Sequence, residues 1–316
     1  MRAVAIVGGA LVWVERPEPV PGPSQLAVAV RAAGINGADL WQRLGAYPAP
    51  EGVPPDVPGL ELAGEVVGVG PGASRFAVGD RVMALVGGGA QAEAAVTDEA
   101  TALALPDGIG WEEAGGFMEA YATAHDALLT QCGMHSGDRV LVTGAAGGVG
   151  TAAVQLASAL GAEVTASARN AGTHEQLLRL GAHTAIQPDQ AVASGPYDVV
   201  LELVAGPSLS SSLTALATGG RIAVIGVGAG ANVEVDLRLL MARRGRIHGS
   251  MLRNRTLPER GAVVAALAAA ALPLLSTGRI GVPIEAALPM ADPEAAYERF
   301  SAGGKVGKVV LVPAMS

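Results

Sequence analysis

Residues 139–157, running from Arg139 through Gly144-Ala145-Ala146-Gly147-Gly148-Val149-Gly150 to Ala157, constrain the fold of this chain more than any other stretch. The run 140–143 is rich in β-branched residues and suits a buried strand, while Val149, Ala153, Leu156 and Leu160 recur at helical spacing just beyond the glycines. A tight turn must join the two. Glycine there lets the backbone approach a pyrophosphate with no Cβ in the way, and the free N–H groups and positive end of the following helix attract an anion. A strand before and a helix after make this a dinucleotide-binding signature, which an isolated glycine cluster is not.

A length of 316 residues with 50% hydrophobic content predicts two domains, each with its own core. The net charge of −8 argues against nucleic acid or an anionic membrane as partner, since either would require a basic face. One cysteine, Cys132, allows neither an internal disulfide nor a four-cysteine zinc lobe, and a reducing, cytoplasmic setting is expected. The apolar start at 1–7 is broken by Gly8-Gly9 and continues into an alternating stretch at 11–15, so a β-hairpin is expected there and not a leader. The run 262–275 is shorter than the roughly 20 residues of a spanning helix and contains Pro273, so it reads as a buried, alanine-rich helix.

Up to about residue 105, short runs broken by Gly and Pro predict a mainly β region, with strands over 25–31 and 59–69. Near Pro106 the texture changes, and a helix is expected from Trp111 to about residue 131, with Phe117, Tyr121, His125 and Leu128 on or near one face. Strands over 140–143, 163–167, 198–203, 221–226 and 246–251 then alternate with helices over 150–160, 174–180 and 207–217. Such alternation builds a parallel sheet covered by helices. The pattern over 284–312 reads as strand, helix, strand and is assigned back to the first domain. The expected fold is α/β, a Rossmann doubly wound parallel sheet over 118–255 inserted in a β-rich domain made of 1–117 and 256–316.

The segments Ala33-Gly34-Ile35-Asn36-Gly37-Ala38-Asp39, Pro58-Gly59-Leu60-Glu61-Leu62-Ala63-Gly64-Glu65, Gly79-Asp80-Arg81-Val82 and the glycine turn occur in the order seen in the medium-chain dehydrogenase/reductase superfamily. Within it the chain resembles the zinc-free NADPH:quinone oxidoreductase (zeta-crystallin-like) branch, down to Gly304-Lys305-Val306-Gly307-Lys308-Val309-Val310-Leu311. Gly249-Ser250-Met251-Leu252-Arg253-Asn254-Arg255 further resembles the p53-inducible quinone oxidoreductases. This resemblance implies a GroES-like domain carrying the Rossmann domain, with an active site in the cleft between them. It also implies a homodimer joined through the nucleotide domains, for which the last strand at 246–251 offers an open edge. The implied reaction is hydride transfer from NADPH to a quinone or a related α,β-unsaturated carbonyl. An enoyl or alkenal reductase shares each feature, and a protein that binds NADPH without turnover, as a redox sensor or structural protein, is the alternative from another class.

Zinc alcohol dehydrogenases of the superfamily place a metal-binding Cys where this chain has Asn36 and a His where it has Leu60. An amide and an isobutyl group supply neither ligand, so no metal is expected. Ala145 stands at the first glycine of the usual fingerprint, while Gly147 and Gly150 keep the second and third. At the end of the second strand, Ser167-Ala168-Arg169-Asn170 brings no carboxylate to repel a 2′-phosphate, and Ser167 and Arg169 can donate to one; a solvated Arg169 is the plainer alternative. The resemblance further implies that Thr123, Ala146, Gly147, Gly148, Val149, Asn170, Val204, Gly226, Met251 and Leu252 contact the cofactor. It sets the loop after Asn36 beside the nicotinamide, making Asn36, Arg43 and Tyr47 candidates to orient a carbonyl oxygen, with Trp41 lining the pocket. Tyr47 could equally pack on Pro48. Where the family carries an aromatic after Gly87-Gly88-Gly89, this chain has Ala90-Gln91-Ala92-Glu93, which predicts a wider pocket.

Overall fold

A computed structural model describes residues 1–314. The chain opens with the expected hairpin, β1 (Arg2–Val7) paired antiparallel to β2 (Ala10–Glu15) across Gly8-Gly9, both at positive φ. Then come β3 (Gln25–Gly34), α1 (Gly37–Arg43), β4 (Glu61–Val69), β5 (Arg81–Leu85), β6 (Ala94–Asp98) and β7 (Ala102–Ala104). The segment 36–43, expected as a loop, is α1: Asn36 is its N-cap, and the Asp39 carboxylate turns back to accept the Asn36 N–H at 2.8 Å, closing a capping box.

The helix expected over 111–131 is broken. It consists of α2 (Trp111–Gly115), α3 (Met118–His125) and a π-helical turn, Asp126–Gln131. Gly115 and Gly116 mark the first break, and a Cβ at Gly115 would fall 2.6 Å from Ala32, so the backbone of α2 lies directly on β3.

The next segment contains β8 (Arg139–Val142), α4 (Gly148–Ala159), β9 (Glu163–Ser167), α5 (His174–Arg179), β10 (Thr184–Ile186), α6 (Ala191–Ser194), β11 (Tyr197–Glu202), α7 (Pro207–Thr214), β12 (Leu216–Val224), α8 (Leu237–Arg243) and β13 (Arg246–Gly249). Its six strands are all parallel, in the order β10-β9-β8-β11-β12-β13, the doubly wound arrangement with its reversal between β8 and β11. β13 is an edge strand. β10, α6 and α8 carry no expectation from the sequence; the first two, of 3 and 4 residues, are too short to show a period.

The chain then forms α9 (Leu257–Ser276), β14 (Ile284–Pro289), α10 (Pro293–Ser301) and β15 (Lys308–Val312). The last two strands join the first segment in a second sheet, ordered β14-β15-β3-β4-β5-β7 with β6 paired to β3. At 20 residues, α9 exceeds the run expected for it, because Thr256 and Glu259 form a capping box and Pro258 fits its first turn. By length and composition it could cross a membrane, but here Val263, Val264, Leu267, Ala271, Leu274 and Leu275 are buried while Ala265, Ala266 and Ala269 face out. It is therefore buried on one face only, with valines, leucines and Ala271 inward and other alanines outward.

The two sheets share a core. Met83, Leu85 and Leu103 of the antiparallel sheet, Val140 and Val164 of the parallel sheet, and Leu267 and Leu275 of α9 all belong to one cluster. Phe117, Tyr121 and Leu128, which the sequence sets on or near one helical face, lie fully buried within it. The Phe117 and Tyr121 rings stack at 4.4 Å, and the Tyr121 hydroxyl donates to the Gly281 carbonyl at 2.7 Å. Truncating Phe117 to Ala would cost about 3–5 kcal/mol. The cleft thus lies between two walls held by a common floor.

Candidate active site

The crevice of a doubly wound sheet opens where its strand order reverses, here between the carboxyl ends of β8 and β11. Gly147 is the N-cap of α4, and no side chain caps that helix, so the N–H groups of its first turn remain available to an anion. Around Gly147 there is room: a Cβ there would meet only the Gly144 carbonyl, at 3.6 Å. Gly150 has the opposite role, since a Cβ there would fall 2.6 Å from the Ala145 backbone and force the helix off the turn.

Val204 covers Gly144 across the crevice, and the Gly226 N–H donates to the Glu202 carbonyl at 3.2 Å. Thr123, Ser167 and Leu252 are buried, Ala146, Gly148 and Val149 are partly exposed, and Arg169, Asn170 and Met251 are exposed. Arg169 makes no hydrogen bond or ion pair among the described residues, whereas Asn170 caps the short turn after β9 by accepting the Gly172 N–H at 3.0 Å. An open glycine turn, an uncapped helix and a free cation at the end of β9 fit a phosphate-bearing dinucleotide.

Sequence reasoning missed the buried Glu202 that holds this crevice in shape. Its carboxylate accepts from Thr143 Oγ1 at 2.7 Å, the Val204 and Ala205 N–H groups at 3.0 and 2.9 Å, Ser208 Oγ at 2.9 Å and Ser212 Oγ at 2.8 Å. Five donors satisfy a charge that burial would otherwise make prohibitive, and they pin together the loops after β8 and β11. The signal was an acid closing an apolar strand, with serines one helical turn apart soon after it.

On the opposite wall lies a closed polar cluster. Lys308 Nζ donates to Glu61 Oε1 at 2.5 Å, Asn36 Oδ1 at 2.7 Å and the Ile35 carbonyl at 3.0 Å, with the Lys308 and Glu61 side chains 2% and 0% exposed. Asn36 Nδ2 donates to Glu61 Oε1 at 3.0 Å, and the Glu119 N–H donates to Glu61 Oε2 at 2.8 Å. Asp39 is also buried and accepts the Asn36 and Gly59 N–H groups at 2.8 and 3.0 Å. Burial raises its carboxyl to about 6, against the opposing effect of those N–H groups and of the Lys308 and Arg253 charges. The Lys308 stem crosses the glycine turn on its way, since a Cβ at Gly148 would sit 2.4 Å from Lys308 Cδ. One side chain therefore joins the dinucleotide turn to Asn36.

Tyr47 is half-buried, and its ring lies under the Arg253 guanidinium at 5.0 Å, which favours the cleft over simple packing on Pro48. Arg253 itself is buried and donates to the carbonyls of Gly87 and Tyr47 at 2.7 and 2.9 Å and to Gln42 Oε1 at 2.7 Å. It reaches from the loop after β13 across to the opposite wall. Its loop is anchored by Arg255, which pairs with Asp126 at 2.6 Å and donates to Ser250 Oγ at 2.7 Å.

Two expectations need correction. Arg43 is not free to orient a carbonyl: its two Nη atoms grip Glu294 of α10 at 2.9 and 2.7 Å, and its Nε donates to the Gly9 carbonyl. Trp41 sits on the outer face of α1, 44% exposed. Gln91 is fully buried, accepting from the Tyr297 hydroxyl at 2.9 Å, while Gly87, Gly88, Gly89 and Ala92 line a cavity beside it.

A parallel nucleotide sheet sharing a cleft with an antiparallel domain defines a dehydrogenase or reductase of the medium-chain class. Comparison with known proteins agrees: residues 22–133 match the alcohol dehydrogenase GroES-like domain and residues 148–269 the zinc-binding dehydrogenase domain. Human quinone oxidoreductase is 31% identical, the alignment covering 99% of this chain and 98% of that one. Polyketide synthase GfsB of Streptomyces halstedii is 43% identical over 207 residues, 64% of this chain but only 4% of the synthase. Among solved structures, a mycobacterial protein complexed with NADPH superposes with a TM-score of 0.88 at 28% identity, covering 99% of this chain and 100% of that one. A thermostable alcohol dehydrogenase from Pyrobaculum aerophilum gives 0.85 at 31% identity, covering 99% of each chain. The chain belongs to the quinone oxidoreductase family of medium-chain dehydrogenases/reductases, and is an oxidoreductase that uses a nicotinamide cofactor.

Proposed function

We propose that this protein is an NADPH-dependent, metal-free reductase of quinones or related α,β-unsaturated carbonyls. The observation that carries the reading is the Lys308 side chain, which links the dinucleotide turn to the polar cluster at Asn36. At the position where zinc relatives carry a cysteine ligand, this chain has an amide already bound to an ammonium. That ammonium is itself paired with the buried Glu61 carboxylate, which closes the cluster on side chains alone. Among the described residues no three His, Cys, Asp or Glu side chains form a metal-binding group. Elemental analysis of dialysed protein should find no stoichiometric zinc, and activity lost to a chelator and restored by zinc would overturn this part.

Bound NADPH supplies hydride. Residues 118–255 are assigned as the domain that binds it, and residues 1–117 with 256–316 as the domain that presents the acceptor. The first turn of α4 would hold the pyrophosphate, and Ser167 and Arg169 the 2′-phosphate. The Tyr47 hydroxyl, which burial keeps above its ordinary range and so protonated, would hold the acceptor oxygen as its charge grows. Tyr47→Phe should lower kcat roughly ten- to a thousand-fold with cofactor affinity unchanged; unchanged kinetics would remove Tyr47 from the mechanism. The test of the whole reading is steady oxidation of NADPH by 1,4-benzoquinone or by 3-buten-2-one. Binding of NADPH with turnover of neither would leave a non-catalytic binder.

A homodimer through β13 completes the proposal. That strand pairs with β12 on one side and has no partner on the other among the described residues, and Val227, Met241 and Met251 are exposed in the segments before and after it. Sedimentation showing only monomer at micromolar concentration would refute it.

A further inference from the structure

Delivery of hydride to a carbonyl-conjugated acceptor leaves an oxygen that must gain a proton, and most polar groups of the cleft have none to give. The Lys308 ammonium spends its three donors on Ile35, Asn36 and Glu61 and is closed off from solvent. Arg253 is likewise buried and committed to Gly87, Tyr47 and Gln42. Asp39 is locked by two backbone N–H groups and is 0% exposed.

Glu119 differs from all of these. It stands in the first turn of α3, four residues ahead of Thr123 and so on the same helical face. Its own N–H is fixed to Glu61 at 2.8 Å, which sets its Cα over the polar cluster. Its carboxyl accepts no hydrogen bond and forms no ion pair among the described residues, and the residue keeps partial exposure. Five titratable groups surround it: Glu61 on β4, Asp39 on α1, Lys308 on β15, Arg253 after β13, and Tyr47 after α1.

We propose that Glu119 is the general acid of the reaction, giving its proton to the acceptor oxygen as hydride arrives. The inference rests on the reductase reading above. Hydride brings two electrons to the acceptor carbon, the conjugated π pair moves to oxygen, and the O–H bond forms there as the Glu119 O–H bond breaks. NADP⁺ and a Glu119 carboxylate remain, and solvent restores the proton through the exposed edge of the side chain. Burial, and after it the neighbouring Glu61 carboxylate, raises the Glu119 carboxyl to about 8, so the donor form is the resting form at neutral pH.

The test is the pH profile of kcat with 1,4-benzoquinone and with 3-buten-2-one, for the whole protein and two variants. The wild type should be flat below pH 7 and fall on an alkaline limb centred near 8. Glu119→Gln should lose about a hundred-fold in kcat and lose the limb, with the Kd for NADPH, read by fluorescence, within two-fold. Glu119→Asp keeps an acid, so it should be slower yet retain a limb, which keeps the test valid if the Gln variant folds poorly. A Gln variant with wild-type rate and an unchanged limb overturns the proposal while leaving the reductase reading intact. A wild type that turns over neither acceptor overturns both.

Discussion

Replacing Lys308 with Met keeps the stem that lies against Gly148 and removes only the ammonium. Three hydrogen bonds go with it, to Ile35, Asn36 and Glu61, and a fully buried carboxylate loses its counter-ion. Breaking one side of a buried pair costs about 3–5 kcal/mol, because the remaining charge is left in a poorly polarisable interior. Glu61 keeps two other donors, Asn36 Nδ2 and the Glu119 N–H, which places the expected loss at the lower end, about 3 kcal/mol. Glu61→Gln alone strands the ammonium instead and should cost a similar amount. The double variant strands neither charge and should cost well under the sum, giving a coupling of about 2 kcal/mol. Urea unfolding followed by tryptophan fluorescence and by far-ultraviolet circular dichroism would measure it, coincident midpoints licensing a two-state reading. Additive losses, with coupling below about 0.5 kcal/mol, would show that the pair does not hold the cleft wall together.

Other outcomes follow from the same geometry. Arg169→Ala should weaken NADPH roughly ten- to a hundred-fold and spare NADH, since a charge-assisted contact to phosphate is worth about 1.5–3 kcal/mol; equal weakening of both in a binding titration would mean that Arg169 does not read the 2′-phosphate. Burial raises Asp39 from 3.8 to about 6, so its ionisation opposes folding and should contribute a stability loss of about 3 kcal/mol as pH rises from about 4 through about 6, beside the loss that Glu119, raised from 4.5 to about 8, adds up to about pH 8. Asp39→Asn should remove the Asp39 share of that slope in urea melts taken at pH 4 and pH 7 and leave the Glu119 share; an unchanged slope would contradict the assignment. Gly148→Ala drives a methyl group into the pinned Lys308 stem and should lower stability by about 1–3 kcal/mol; a variant as stable as the wild type in thermal melts would contradict that contact.

The glycine turn and the alternation after it were legible because both are local: a strand, a turn and a helix each announce themselves within a dozen residues. Boundaries failed where a cap decided them. Asn36 and Asp39 close a capping box that uses Asn and Asp where Ser and Glu are usual, so α1 read as loop. The site failed for a different reason. Lys308 meets Glu61 across 247 positions, and Arg43 meets Glu294 across 251, so no spacing rule could pair them. Lys308 is one of only two lysines in the chain and opens an apolar strand, and Glu61 lies between Leu60 and Leu62. A charge at an inward register position of a strand was the available clue. Arg253 lay within a quoted motif, yet its role depends on Gly87, Tyr47 and Gln42, all on the far wall.

The insertion of one sheet into another also fixes an order of assembly. β3 and β4 are made early, but the partner of β3 at Ala33 and Gly34 is β15, synthesised only after the whole parallel sheet. Until then that part of β3 is an open edge, the kind of surface on which incomplete chains associate with one another. Glu61 stands beside this gap and lacks its counter-ion for as long as the gap persists. A charge without a partner keeps the unfinished edge wet and makes its burial against another nascent chain costly. When β15 arrives it closes the edge and neutralises the carboxylate in the same event. A chain arrested before residue 308 would therefore leave Glu61 without its counter-ion at a wall that is fully buried in the finished protein.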